Sequence, residues 1–457
     1  MRKYRPLRGV RVLAFEAAFS LPSGTRTLAE LGAEVVQVAR PGAGDGGYIS
    51  WVDGAALSKA LVSLNLKDAG GLALARQLAL SADVVCNNFR PAVMKRYGLD
   101  YETLRQEKPA IIVLQLSGYG GPGPWQHFGA FGPSTEAAGG LWMQMGGADD
   151  PPMQPGSGVY ADQVGGRYAA FAIVAALAER TRTGVGQEID LSMQEGIIHL
   201  LGDALLRTAV TGTPPPRTGN RSETHAPEGI YACLGNSGNA ANPQSAIRNP
   251  QSDEWLALSI LTDQQWCALR DLLGDPCLAD PTLESVTERQ RRHDEIDACI
   301  SAWTRRHEKN AAAEILQARG IPAGPVQRTS ELPFDPQYAA RGSFQIVKHP
   351  RPVLGYDAHP HLTLPWRVAG AERAALTASE GPGADNRRIL KRWLGLSARE
   401  VRALERSGAL VPPRPFVVNE PPLLGARGAA VEPDFAERLR LPRATKTEQT
   451  PAVEGAR

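Results

Sequence analysis

Between residues 10 and 116 the chain switches repeatedly between short apolar runs and longer stretches of helical period. The spacing predicts strands over 10–15, 34–38, 83–86 and 111–116, with helices over 22–31 and 70–80. Strands therefore alternate with helices along this part of the chain. That pattern belongs to a parallel sheet covered by helices on each side. The expected fold is therefore α/β, a doubly wound parallel sheet of Rossmann-like form. Ligands on such sheets bind beyond the carboxyl ends of the strands. Those ends fall at 16–20, 40–45, 87–90 and 117–123.

Downstream, 163–180 reads as a long helix, 187–193 as a strand or a helix entry, and 194–208 as a second apolar helix. A polar, proline-rich break follows at 211–222, and a new strand–helix pattern opens with 255–260 and 263–273. A chain of 457 residues has room for two or three domains. The expected division is a large domain beginning with 1–225 and a smaller α/β domain over 226–327. Asn242-Pro-Gln-Ser245 recurs as Asn249-Pro-Gln-Ser252, so 236–252 reads as an inserted polar loop. The stretch 411–457 holds eight Pro and three Gly with little periodicity, and reads as a disordered or extended tail.

Composition excludes several classes. Lys+Arg is 50 against Asp+Glu 48, so the net charge of +2 gives no reason to seek nucleic acid or an anionic membrane surface. No apolar run approaches the ~18 residues that span a bilayer. The opening Met1-Arg-Lys-Tyr-Arg5 leads into a strand rather than a signal peptide's apolar region, which points to the cytoplasm. Cys86, Cys233, Cys267, Cys277 and Cys299 make neither a CxxC nor a metal spacing. An odd, sparse set fits a reducing compartment and reads as small buried hydrophobes. The eight histidines are scattered, and His359-Pro-His361 reads as a surface turn, so no metal site is expected. Two glycine-rich stretches, 42–47 and 118–123, follow strands. Neither opens a helix that would set its N-terminus against a pyrophosphate, so a dinucleotide site is not expected.

Asp162, in Gly158-Val-Tyr-Ala-Asp162-Gln-Val-Gly-Gly166, precedes the long helix. Taken alone, it reads as an ordinary helix cap. The same position favours an ionised carboxylate through the free backbone amides and the helix dipole. Such a carboxylate is a nucleophile towards an activated acyl group, and the amides can stabilise an oxyanion.

Motifs in sequence order favour the second reading. Leu7-Arg-Gly-Val-Arg-Val-Leu13, Leu31-Gly-Ala-Glu-Val-Val-Gln-Val-Ala-Arg-Pro41, Leu64-Asn-Leu-Lys67, Asn88-Phe-Arg-Pro91 and Tyr97-Gly-Leu-Asp-Tyr101 come first. Ser117-Gly-Tyr-Gly-Gly-Pro-Gly-Pro124, Ala161-Asp162, Arg180-Thr-Arg-Thr-Gly-Val-Gly-Gln187 and Gly320-Ile-Pro-Ala-Gly-Pro-Val326 follow. In order and spacing over about 5–410, the chain resembles the class III CoA-transferases, the family of formyl-CoA and carnitine–CoA transferases.

The resemblance implies a large domain to which a C-terminal part, 328–410, returns after the small domain. It also implies an interlocked homodimer. The activity implied is CoA transfer from an acyl-CoA donor to a carboxylic acid acceptor through a covalent intermediate on Asp162. Coenzyme A enters as part of the substrate, with no tightly bound cofactor. The resemblance assigns CoA contacts to Arg40, Leu64, Lys67, Asn88, Phe89, Arg96 and Tyr97. The residue types suit that task. Arg40, Lys67 and Arg96 match phosphates, and Phe89 and Tyr97 match adenine or pantetheine. It assigns no role to Arg90.

The chain also departs from the pattern. Formyl-CoA transferases carry glutamine, lysine and glutamate where this chain has Phe19, Gly129 and Gly132, and their small-domain glycine run is replaced by Gly235-Asn-Ser-Gly238 and the insert. A bulkier, less polar acyl group than formyl or oxalyl is therefore expected. Two other readings remain. An α-methylacyl-CoA racemase of the same superfamily pairs the aspartate with a histidine, where this chain has Phe131-Gly132 and His127 four residues early. A non-catalytic CoA-binding paralogue would fit the insert and the tail.

Overall fold

The computed structural model describes residues 2–41, 54, 56–156, 160–235, 254–353, 356–413 and 435–440. The glycine stretch 42–47, the insert 236–252 and most of the 411–457 tail lie outside the described residues.

Six strands form the central sheet: β1 (Arg11–Phe15), β2 (Glu34–Ala39), β3 (Ala60–Ser63), β4 (Val84–Asn87), β5 (Ile112–Ser117) and β6 (Glu188–Ser192). Their order is β3-β2-β1-β4-β5-β6, and every neighbouring pair is parallel. This is the doubly wound arrangement expected, with its topological switch point between β1 and β4. Alternate residues of β1 serve the two faces. Leu13 and Phe15 pack with Val36, Val85 and, from α2 (Ala69–Ser81), Leu74 and Leu78. Val12 and Ala14 pack with Leu21 and Leu28 of α1 (Ser20–Glu30), on the face where α4 also lies. Short helix α3 (Gly132–Ala138) precedes the long α4 (Tyr160–Thr183), and α5 (Met193–Ile198) follows β6. Along α4 the buried positions Gly165, Ala169, Ile173, Ala176 and Leu177 recur at helical spacing. The helix begins three residues before the expected 163, which places Asp162 inside its first turn rather than ahead of it.

The described residues divide into two compact units, and the one containing this sheet takes those within 1–141, 154–205 and 333–457. The other takes those within 142–153 and 206–332. Its sheet has three antiparallel strands, β7 (Glu228–Ala232), β8 (Trp255–Ser259) and β9 (Ala323–Val326), with β8 central. Helices α6 (Asp263–Leu273), α7 (His293–Thr304) and α8 (Lys309–Gln317) accompany it. Leu256, Leu258, Trp266, Ile296, Ile300 and Leu316 form its core.

The cysteines correct one expectation. Cys86 and Cys233 are buried, but Cys277 is exposed and disulfide-bonded to Cys299. The neighbouring Leu278 and Ile300 take the buried positions, which leaves both sulfurs at the rim of the core.

After the second unit, β10 (Phe344–Val353) and β11 (Tyr356–Leu362) form an antiparallel hairpin. Helices α9 (Asn386–Leu394) and α10 (Ala398–Ser407) come next. Ile389, Leu390, Trp393 and Val401 enter the core on the α2 face of the large sheet. At the start of α9, Asp385 Oδ2 accepts a hydrogen bond from the Leu61 N–H at 2.9 Å, and Asn386 Oδ1 accepts one from Ser63 N–H at 3.0 Å. The Val411 N–H donates to Ser63 O at 2.9 Å. The outer edge of β3 is thereby covered by residues from the far end of the chain, which removes an open template for strand addition.

Candidate active site

In a parallel sheet every strand delivers its following loop to the same edge. Arg40 follows β2, Lys67 follows β3, and Asn88, Phe89, Arg96 and Tyr97 follow β4, on four neighbouring strands with β1. Six of the seven expected CoA contacts therefore sit in loops or short turns at the carboxyl-terminal edge. Arg40, Lys67 and Arg96 are exposed. Leu64 differs, because its side chain is fully buried in the core and its backbone bridges to Leu410. It offers a ligand no side-chain surface. Phe89 and Tyr97 are half-buried and lean on the same core. Asn88 is committed to the protein. Its Oδ1 accepts from the Ala17 N–H at 2.9 Å, and its Nδ2 donates to Ala17 O at 2.8 Å. This two-way clamp ties the loop after β4 to the loop after β1 across the switch point.

Beneath that loop lies a buried ion pair. Lys59 Nζ donates to Glu16 Oε1 at 2.6 Å and to Pro22 O at 2.8 Å, and both charged side chains are fully buried. Thr25 Oγ1 donates to Glu16 Oε2 at 2.7 Å. Burial lowers the pKa of Lys59, and the Glu16 charge opposes that shift. The pair anchors a tight turn in which Ala18 is left-handed, with φ of 56°.

From this turn α1 runs directly against α4. Gly24 and Gly166 meet at the crossing, where a Cβ on Gly24 would overlap the Gly166 carbonyl. A Cβ on Gly166 would overlap Ser23 Oγ and Ser20 O. Glycine is required here by close approach, and the contact fixes α4 one turn beyond Asp162.

Asp162 is half-buried, and its pKa is pushed up to about 6, first by burial and then by the charge of Glu136. The helix N-terminus acts the other way by favouring the ionised form, but burial prevails. Glu136, on α3, is fully buried, and one of its oxygens accepts the Ala161 N–H at 3.1 Å. One of the first-turn amides expected to stabilise an oxyanion is thus already engaged. Sequence reasoning passed over Glu136.

The departures at Phe19, Gly129 and Gly132 also have places. Phe19 is half-buried in the loop after β1, and Gly132 starts α3. A Cβ on Gly129 would stand 3.0 Å from Arg90 Nη2. The Arg90 guanidinium therefore takes up space that a side chain at 129 would need. His127 is exposed in the loop after β5.

The family model described as CoA-transferase family III matches residues 7–238 and 234–386. Among curated proteins, the succinyl-CoA–D-citramalate CoA-transferase of Chloroflexus aurantiacus is 30% identical over 88% of this chain and 98% of its own length. The acetyl-CoA:oxalate CoA-transferase of Acetobacter aceti is 31% identical over 78% of this chain and 91% of its own. A solved CAIB/BAIF family protein from Brucella suis superposes with a TM-score of 0.74 at 25% identity, covering 86% of this chain and 100% of that one. Among the described residues no helix is long and apolar enough to cross a membrane. By the extent of these matches the chain belongs to CoA-transferase family III and is a CoA-transferase, an enzyme that takes a CoA thioester as substrate.

Proposed function

We propose that the protein moves CoA from an acyl-CoA donor to a carboxylic acid through a covalent intermediate on Asp162. The observation that carries this reading is a half-buried carboxylate in the first turn of α4, with a pKa raised to about 6. At neutral pH such a group is mostly ionised yet more basic than an ordinary aspartate, which suits nucleophilic attack.

In this reading the Asp162 carboxylate attacks the thioester carbonyl and displaces CoA thiolate, leaving a mixed anhydride. The thiolate attacks the Asp162 carbonyl, releases the donor acid and forms an aspartyl-CoA thioester. The acceptor carboxylate attacks that thioester, giving a second anhydride and thiolate. Attack of thiolate on the acceptor carbonyl then yields the new acyl-CoA and regenerates Asp162.

Arg40, Lys67 and Arg96 are proposed to meet the phosphates of CoA, and Phe89 and Tyr97 its adenine or pantetheine. Asn88 would act mainly by holding the loop at Ala17, and at Leu64 only the backbone could reach a ligand. Phe19 and Phe131 support a bulkier, less polar acyl group than formyl or oxalyl. Phe131 is 77% exposed beside the start of α3. A homodimer is also proposed. Phe171 on α4 is 71% exposed, and Leu200 and Leu205 are exposed as well, which a second copy would cover.

Intact-protein mass after incubation with short, branched and aromatic acyl-CoAs tests the chemistry. The expected result is an acyl- or CoA-sized adduct on the wild type, absent from Asp162→Ala and removed by hydroxylamine. Solvent deuterium entering the α-carbon of the thioester without any adduct would instead identify a racemase. CoA binding with neither adduct nor exchange would identify a non-catalytic paralogue.

A further inference from the structure

Two carboxyl groups share the corner where α3 meets α4, and the aspartyl reaction uses only one of them. Glu136 is fully buried, and the Ala161 N–H that it accepts belongs to the residue immediately before Asp162. We propose that Glu136 is a positioning residue for the reaction at Asp162: its buried carboxylate fixes the first turn of α4 through Ala161 and brings a negative charge to the corner that holds Asp162. The inference rests on the reading of Asp162 as nucleophile.

Among the described residues, Glu136 is the charge that acts on Asp162. α3 carries no other titratable residue. On α4, Arg167 lies on the next turn, near Arg26 and Glu30 of α1. Glu195, on α5, is exposed and lies in that helix's own first turn, and the His199 ring beyond it lies tilted against Tyr168. Glu16 is neutralised by Lys59. The raised pKa of Asp162 agrees, with burial as its largest cause and Glu136 as the other. A negative neighbour makes Asp162 hold its proton to higher pH, and makes the ionised form the stronger nucleophile once the proton is gone.

Glu136→Gln separates the two roles, because the amide oxygen still accepts the Ala161 N–H while the charge is lost. The rate of adduct formation on Asp162 is measured from pH 5 to 8.5 by quenched intact mass, for wild type, Glu136→Gln and Glu136→Asp. For Glu136→Gln the acid limb is expected to move down by about half to one pH unit, a relative gain of about three- to fivefold at pH 5. Its plateau above pH 7.5 is expected to fall severalfold. Glu136→Asp keeps the charge, so its acid limb should coincide with the wild type while its rate drops through the shorter reach. A Glu136→Gln profile that superimposes on the wild type overturns the proposal and leaves Asp162 as nucleophile. An acid limb displaced downward in Glu136→Asp overturns it equally, and that variant serves if the glutamine one does not fold. Absence of any wild-type adduct overturns the Asp162 reading and the proposal together.

Discussion

Asp162 stands where two forces on a carboxylate disagree. Free amides at the start of α4 favour its charge, while burial and Glu136 oppose it and prevail. A carboxyl whose pKa is higher in the folded chain than in the unfolded one binds its proton more tightly when folded. Its contribution to stability is thus most favourable below about pH 4 and is lost as pH rises through 6. Asp162→Asn removes the charged form and should stabilise the fold at pH 7.5. Discounted for partial exposure, the gain is of order 1 kcal/mol. Thermal melts at pH 7.5 and 4.5 check the sign, since the advantage should shrink towards pH 4.5, and an equal gain at both values would refute the linkage. Asp162 was legible in the sequence only through the company it keeps, because an acid beside a helix start is usually a cap. Glu136 was not legible, since nothing local distinguishes a buried acid from an exposed one in a seven-residue helix. Its burial is decided by α4, which begins 24 residues later.

At the level of elements, the crossing of α1 and α4 decides where Asp162 sits. Gly166→Ala would drive a methyl into Ser23 Oγ and Ser20 O, and neither the backbone nor the buried serine has room to yield. The expected cost is about 1–3 kcal/mol, together with a loss of adduct formation as the first turn shifts. Gly202→Ala is the control, since nothing lies within 4 Å of its added methyl and both measures should stay near wild type. An unchanged melting temperature and adduct rate in Gly166→Ala would refute the close-approach argument. Local signals read some elements well. Helix α6 matches its expected bounds because Thr262 and Gln265 form a capping box and Gly274 closes it in the left-handed region. Strand β3 escaped notice because it has four residues and follows a lysine whose charge is buried by Glu16, a partner 43 residues away. The apolar stretch 194–208, read as one helix, is broken at His199–Leu201 by a tighter 3-10 turn before Gly202. Its hydrophobic period carries no mark of that change.

Over the whole molecule, the doubly wound sheet was legible because strands alternate with helices between residues 10 and 116. The division of the chain was less so. The second unit takes in 142–153 and starts at 206, where no break in periodicity stands. Such boundaries depend on which distant surfaces pack together, and a single sequence does not display that. The proposed dimer makes its own prediction at this scale. Light scattering on the eluting protein should return twice the 49.0 kDa chain mass. Phe171→Glu should reduce it to one, whereas a wild-type monomer at micromolar concentration would remove the dimer. The cover over β3 bears on how the chain is born. Asp385 lies 324 residues after the strand residue it caps. At about 5–20 residues per second, a ribosome needs roughly 16–65 s to supply that partner. Throughout that interval the nascent sheet has a sticky flank, so the cell must shelter a half-made protein until its last turns emerge.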